Sequence, residues 1–294
     1  VASGFGIVLR GVGGLYDVRG DDGRMIRCRP RGRIKLDSLT ILAGDRVEYS
    51  IVDDHGGVIE RVLPRKTVLL RPAVANIDQL VIVAACAQPD PQPLLIDRLL
   101  VLAESHGVHP VVCLNKLDLV SSSVPRDLAA IYEKADYEIL FCSAKVGTGI
   151  EELGSFLKDK VTSLAGPSGA GKSSLVNALE PDLQLVTQEV SKKTGRGRQT
   201  TRHVELLELS AGGYVADTPG FSQLRLVGID VLDLDSYFPD IWKWKGDCRF
   251  ASCLHRGEPG CAVAAAADEG AIAPSRLESY RLFMEELEQE RSRY

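Results

Sequence analysis

The sequence predicts a multidomain chain: a small β-barrel, then a doubly wound α/β domain, then a short metal-held segment ending in a helix. Three observations predict it. Residues 4–71 carry short alternating runs broken by turn signals. From residue 77, apolar strand-like runs alternate with helical patterns. Near the C-terminus three Cys and one His crowd into residues 248–261.

The first part, assigned to residues 1–71, reads as paired strands. "GGLYDVRGDDGRMIRCRP" gives two around Asp-Asp-Gly, and "AGDRVEYSIVDDHGGVIERVLPR" gives two more around Asp54-His55-Gly56-Gly57. Short strands so closely spaced predict a barrel. This part is net +4, while the rest is −9. Six basic residues fall in "RMIRCRPRGRIK", residues 24–35. Such a cluster reads either as a solvated strand face or as a surface that neutralises nucleic-acid phosphates.

The second part, residues 72–228, starts with "IDQLVIVAAC", a continuous apolar run of the kind found in a parallel strand buried on both faces. Helices follow at "PLLIDRLLVLAESHG", "RDLAAIYEKA", "IEELGSFLKDK" and "GKSSLVNALE", with strands at "PVVCLN", "EILFCSA", "VTSLAG", "RHVELLELS" and "GYVADT". That alternation predicts an α/β sheet.

The third part, residues 229–294, holds Cys248, Cys253, His255 and Cys261 in the spacing C-x4-C-x-H-x5-C. Three thiolates and one imidazole suit tetrahedral Zn²⁺, and four protein ligands leave no open position, so the zinc is expected to be structural. Trp242 and Trp244 are expected to pack this segment. In the last helix Ser275 and Glu278 read as a capping box, and Leu277, Tyr280, Phe283, Met284 and Leu287 as its packing stripe. Cys28, Cys86, Cys113 and Cys142 sit singly in apolar runs and read as buried thiols, while the clustering of Cys248, Cys253 and Cys261 near a His suits a reducing compartment with a metal site better than a disulfide framework. No apolar run reaches the ~18 residues of a membrane span. The N-terminus lacks the basic head and apolar core of a signal peptide.

The chemistry lies in the middle part. "GPSGAGKSS", Gly166, Pro167, Ser168, Gly169, Ala170, Gly171, Lys172, Ser173 and Ser174, follows a strand and opens a helix. Its glycines let successive backbone N–H groups turn inward on phosphates, Lys172 supplies a cation, and Ser173 offers a hydroxyl to Mg²⁺. "DTPG" ends a later strand: Asp217 can hold Mg²⁺ through water, and the Gly220 amide can reach a γ-phosphate. Between them runs "TQEVSKKTGRGRQTTRH", where Thr200 and Thr201 are candidates to cap Mg²⁺. "NKLD" follows another strand. Asn115 and Asp118, with Lys116 between, match a guanine edge, since Asp118 can accept from the ring N–H and exocyclic amine that adenine does not present together. "SAK", Ser143, Ala144 and Lys145, can aim backbone N–H groups at guanine O6. All four stretches sit at strand C-termini, where α/β sheets bind ligands.

Their order is unusual, because the base-reading stretch precedes the phosphate loop by fifty-one residues. This is a GTPase cycle cut open after Asp-Thr-Pro-Gly and rejoined through "FLKDKVTSL". Adjacent termini make such a cut cheap for a fold.

Motif order, barrel and Cys/His spacing together resemble the bacterial ribosome small-subunit-dependent GTPase family, over roughly residues 4–290. The resemblance implies an OB-fold barrel, a circularly permuted P-loop GTPase domain and a zinc-binding domain. It implies GTP hydrolysis to GDP and phosphate with Mg²⁺, stimulated by the small ribosomal subunit during its late maturation, with rRNA contacts from barrel and zinc domain. A cytoplasmic, monomeric protein is expected. Family members usually carry His just before the paired threonines as the proposed catalytic residue. Here that position is Gln199, and Phe221 after Asp-Thr-Pro-Gly cannot orient water. The catalytic set read on this basis is Gln199, Thr200, Thr201 and Lys172. Two other readings stand beside it: an ATP-using P-loop enzyme, against which Asn115 and Asp118 argue, and a nucleotide-dependent RNA- or protein-binding module with negligible turnover.

Overall fold

The computed structural model describes residues 3–32, 40–53, 56–70, 73–121, 123–183, 185, 204–217 and 225–292. Thirteen strands and seven α-helices are described. β1 (Ser3–Val12), β2 (Leu15–Gly20), β3 (Met25–Pro30), β4 (Arg46–Asp53) and β5 (Gly56–Val62) come first, then the short pair β6 (Val68–Leu70) and β7 (Ala73–Ala75). Next run β8 (Gln79–Ala85), α1 (Pro93–Ser105), β9 (His109–Asn115), α2 (Ser123–Glu133), β10 (Glu138–Phe141), α3 (Ile150–Leu157), β11 (Val161–Ala165), α4 (Lys172–Leu179), β12 (Glu205–Glu208) and β13 (Tyr214–Asp217). α5 (Pro239–Lys245), α6 (Ala262–Asp268) and α7 (Pro274–Arg291) close the chain. The chain divides into two compact units: Val1–Leu80 with Gly154–Leu164 and Val190–Phe221, and Val81–Leu153 with Ala165–Glu189 and Ser222–Tyr294.

In the first unit the five leading strands close into a barrel in the order β1-β2-β3-β5-β4, with β3 and β5 parallel and the other pairs antiparallel. This is a five-stranded barrel of OB type. Alternation drives it: in β3, Ile26 and Cys28 face inward while Met25, Arg27 and Arg29 face out. Val8, Val18, Ile41, Val47, Tyr49 and Ile59 complete the filling. The same unit holds β11 parallel to β13 and β12 antiparallel to β13. Arg10 of β1 pairs with Glu205 at 3.2 Å and Arg19 of β2 with Glu208, so the barrel is tied to β12.

Part of the basic run lies on the exposed face of β3, where Arg27 and Arg29 point outward. Three of its arginines are ion-paired: Arg24 with Asp22 at 2.6 Å, Arg27 with Asp17 at 2.9 Å, and Arg31 with Glu60. Arg29 has no carboxylate partner among the described residues, while Arg33 and Lys35 lie outside them. Asp17 is the cross-strand neighbour of Arg27 and Glu60 belongs to β5, pairings that a count along the chain does not reveal, whereas Asp22 lies two residues before Arg24.

In the second unit the strand order is β10-β9-β8, with β9 and β10 parallel. β8 is buried at every residue, as its unbroken apolar run predicts. The four single cysteines are all buried thiols. The C-terminal segment, expected as a separate domain from residue 229, shares an apolar core with α1. Val101 belongs to the same cluster as Leu234, Phe238, Ile241, Tyr280 and Phe283. Phe238 and Tyr280 meet edge to face at 5.5 Å. The stripe of α7 is buried as expected. Its start is not a capping box: Ala273 is the N-cap without a side-chain bond, and Pro274 occupies the first turn. Proline's fixed φ suits that position, which moves Ser275 inside the helix. Trp244 packs against the core, but Trp242 is half exposed with Lys245 Nζ 4.8 Å above its ring.

Candidate functional site

The phosphate loop joins β11 to α4, and its backbone accepts only glycine at two points. Gly166 has φ +133°, and a Cβ there would lie 2.1 Å from the carbonyl oxygen of Val83 in β8. Gly171 has φ +99°, caps α4, and a Cβ would lie 2.3 Å from Nδ2 of Asn115. Lys172, in the first turn of α4, donates to the carbonyls of Gly166 at 2.8 Å and Pro167 at 2.9 Å. Its ammonium thus lies within the curve of the loop. Burial lowers its pKa, so an anion would compensate a charge that the protein alone leaves poorly solvated.

The base-reading stretches meet this loop through one side chain. Asn115, at the end of β9, is buried; its Nδ2 donates to the Ala170 carbonyl at 2.9 Å, and its Oδ1 accepts from the Ala144 N–H at 3.3 Å. A single amide therefore pins "GPSGAGKSS" to "SAK". Both its polar atoms are engaged within the protein. Asp118, the other candidate for the base edge, accepts through Oδ1 from Ser143 Oγ at 2.5 Å, and its Oδ2 lies 3.9 Å from Lys145 Nζ. Lys116 is held at φ +66° and donates to the carbonyl of Gln88, in the loop after β8. Burial lowers its pKa, with Asp118 opposing. The sequence reading did not foresee this contact, since nothing in "AQPDPQ" marks a carbonyl as the partner of Lys116.

Asp217 stands at the C-terminal end of β13 in the first unit. Gln199, Thr200, Thr201 and Gly220 lie outside the described residues, as does Phe221.

In the second unit Cys248, Cys253, His255 and Cys261 converge, their ligand atoms all within 4.8 Å of one another. His255 Nδ1 lies 3.6 Å from the sulfurs of Cys248 and Cys253 and 3.4 Å from that of Cys261. Zn–N and Zn–S bonds at a tetrahedral angle put nitrogen and sulfur about 3.6 Å apart. The donor set fits zinc. The knuckle that carries it is held by Glu258, which accepts from the N–H of Leu254 at 2.8 Å and of Arg256 at 2.7 Å. These donors flank His255 and fix its left-handed backbone, φ +61°. Burial works against the Glu258 charge, but its backbone hydrogen bonds prevail and hold the carboxyl at about 2.

A chain that carries an OB-type barrel, a phosphate loop laced to the "NKLD" and "SAK" stretches in that reversed order, and a Cys3His cluster matches known proteins along nearly its whole length. The RsgA GTPase model matches residues 62–227, and the RsgA N-terminal domain model residues 5–59. The chain belongs to the RsgA GTPase family. Curated relatives include "Small ribosomal subunit biogenesis GTPase RsgA" of Moorella thermoacetica, 48% identical over 96% of this chain and 97% of that one. The protein of the same name from Caldanaerobacter subterraneus subsp. tengcongensis is 45% identical over 98% of each. Among solved structures, YjeQ from Thermotoga maritima superposes with a TM-score of 0.85 at 39% identity, covering 97% of this chain and 99% of that one. YloQ, described as a circularly permuted GTPase, gives 0.83 at 33% identity, covering 98% and 96%. The reading of a permuted GTPase with an OB-type barrel is borne out, and as an RsgA GTPase the chain is a GTP hydrolase.

Proposed function

We propose that this RsgA GTPase acts in biogenesis of the small ribosomal subunit, hydrolysing GTP to GDP and phosphate when the subunit engages it. Full-length similarity to relatives named for that role carries the reading. The binding-module alternative is not favoured by it. A role in ribosome assembly implies a cytoplasmic site of action. Among the described residues no helix is long and apolar enough to cross a membrane.

In this reading the residues from Gly166 to Ser174 wrap the phosphates, with Lys172 moving its ammonium from loop carbonyls to the β and γ oxygens. Ser173 and Asp217 would hold Mg²⁺, which supplies positive charge where the transferred phosphoryl group gathers negative charge. Gly220 meets the γ-phosphate through its N–H. Thr200 or Thr201 closes over the same end, and Gln199 orients the attacking water. The zinc is structural and shapes the knuckle. Exposed ion pairs contribute little stability, so barrel arginines such as Arg24, Arg27 and Arg31 can exchange a carboxylate for an rRNA phosphate at small cost.

The test is phosphate release with and without purified small subunits. We expect slow turnover alone and at least tenfold stimulation, which needs only ~1.4 kcal/mol off the barrier. Gln199→Ala is expected to lose most of that stimulation. Stimulation of full size in Gln199→Ala would assign water orientation to a group supplied by the ribosome. No stimulation in the wild type would overturn the subunit-dependent reading.

Guanine selectivity is expected to rest on Asp118. Asp118→Asn reverses the acceptor facing the purine, so it weakens GTP by about 1–3 kcal/mol and lets xanthosine triphosphate compete. Competition titrations against a fluorescent GTP analogue read both effects. Unchanged GTP affinity would remove Asp118 from base reading.

A further inference from the structure

His255 turns Nδ1 toward three sulfurs, and that leaves Nε2. The ring is fully buried, and Nε2 has no hydrogen-bond partner. Oδ2 of Asp235 is 3.8 Å away. Asp235 lies in the 3₁₀ turn Leu234–Tyr237, twenty residues before His255, and is 3% exposed. Lys245 Nζ, at the end of α5, sits 2.6 Å from the same Oδ2, while Oδ1 is buried without a partner. A buried ring nitrogen and a buried carboxylate face each other, both short of partners, and nothing in the nucleotide chemistry uses either.

We propose that Asp235 is the outer carboxylate of the zinc site: it takes the Nε2 proton in a hydrogen bond and so commits His255 to bind metal through Nδ1. The proposal rests on reading the Cys3His cluster as a zinc site. A neutral imidazole has one N–H, so donating it from Nε2 leaves the lone pair on Nδ1, the atom that faces the thiols. Zinc-bound histidines characteristically donate their second nitrogen to a carboxylate or carbonyl, which fixes the tautomer and ring angle. Closing 3.8 Å to a hydrogen bond requires less than 1 Å of movement, and the free Oδ1 gives the carboxylate a second face to offer. Lys245 has a matching part. Three thiolates on Zn²⁺ already leave one negative charge, and an uncompensated carboxylate beside them in a buried site would be costly. Lys245 neutralises it. Asp235 is therefore a positioning residue for the metal, and Lys245 holds Asp235.

The experiment measures Zn²⁺ affinity by chelator competition on the full chain for wild type, Asp235→Asn, Asp235→Ala and Lys245→Met. Asp235→Ala is expected to weaken zinc 10- to 100-fold. Asp235→Asn, isosteric and still able to accept from Nε2–H, is expected to fall between it and wild type. It also serves where Asp235→Ala does not fold. Nitrogen-15 spectra of the loaded protein should show a slowly exchanging Nε2–H on His255 in wild type that Asp235→Ala loses. Zinc affinity within threefold of wild type in Asp235→Ala would overturn the proposal. So would equal losses in Asp235→Ala, Asp235→Asn and Lys245→Met, which would mean that the carboxylate serves only its ion pair. Wild type that fails to take up near one equivalent of zinc would instead overturn the reading of the cluster itself.

Discussion

Arg276→Met is expected to lower the stability of the chain by about 3–5 kcal/mol, the range found when one partner of a buried ion pair is removed. Arg276 lies in α7, is fully buried, and joins that helix to two others. Its guanidinium donates to Asp97 of α1 at 2.8 Å and to both oxygens of Asp240 in α5, at 3.1 and 2.8 Å. It also lies 4.6 Å over the ring of Phe238. Burial works against its charge, yet Asp240 and Asp97 outweigh burial and raise its pKa far beyond the usual value. Two carboxylates share one cation. Burial already raises the pKa of Asp97, against the pull of Arg276 and Ser279. Removing the cation leaves both acids buried and uncompensated. Thermal unfolding should show a drop in Tm of roughly 10 °C. Adding Asp97→Asn and Asp240→Asn to Arg276→Met should return part of the loss, because the neutral amides carry no unpaired charge. A Tm within 2 °C of wild type for Arg276→Met would show that the carboxylates are hydrated and that the clasp is not what joins α7 to α1 and α5.

This clasp also marks the limit of what the sequence made legible. The apolar stripe of α7 is read directly, since Leu277, Tyr280, Phe283, Met284 and Leu287 recur at helical spacing, and all five are buried. Arg276 sits beside that stripe and looks like solvent-facing charge. Its partners are 36 and 179 residues away, so no local pattern announces them. Asp235 is hidden in the same way. The phosphate loop was legible for the opposite reason: its chemistry needs consecutive backbone N–H groups, which forces glycines and a lysine into fixed spacing on one short segment. β8 was legible because a strand buried on both faces has no polar positions to break its run. The parallel pairing of β3 with β5 was not, because it depends on barrel closure rather than on any residue within either strand. Asn115 was half legible. Its place in "NKLD" flagged it, but its bridging of Ala170 and Ala144 depends on where two distant loops are brought together.

Gly166→Ala is expected to abolish useful GTP affinity, by at least a hundredfold, which corresponds to about 2.7 kcal/mol. Two costs coincide at this position. The φ of +133° lies where only glycine is comfortable, so any side chain strains the backbone. The added Cβ would lie 2.1 Å from the Val83 carbonyl oxygen and 3.1 Å from its carbon. That obstacle is the backbone of a fully buried strand, not the tip of a flexible side chain, so the loop must give way. Moving it displaces the carbonyl of Gly166 and the neighbouring Pro167, to which Lys172 is hydrogen-bonded, and with them the Ala170 carbonyl that Asn115 grips. One methyl group thus disturbs the phosphate cradle, the lysine and the link to the base-reading loop together. Gly270→Ala is the control: its φ is +78°, but nothing lies within 4 Å of the added Cβ. It should cost about 1 kcal/mol of stability and leave GTP affinity unchanged. Titration with a fluorescent GTP analogue, alongside thermal unfolding of both variants, separates loop displacement from general destabilisation. A Kd for Gly166→Ala within threefold of wild type would mean that the loop accommodates the methyl without moving its N–H groups, and would remove the contact with Val83 as the feature that sets the phosphate site.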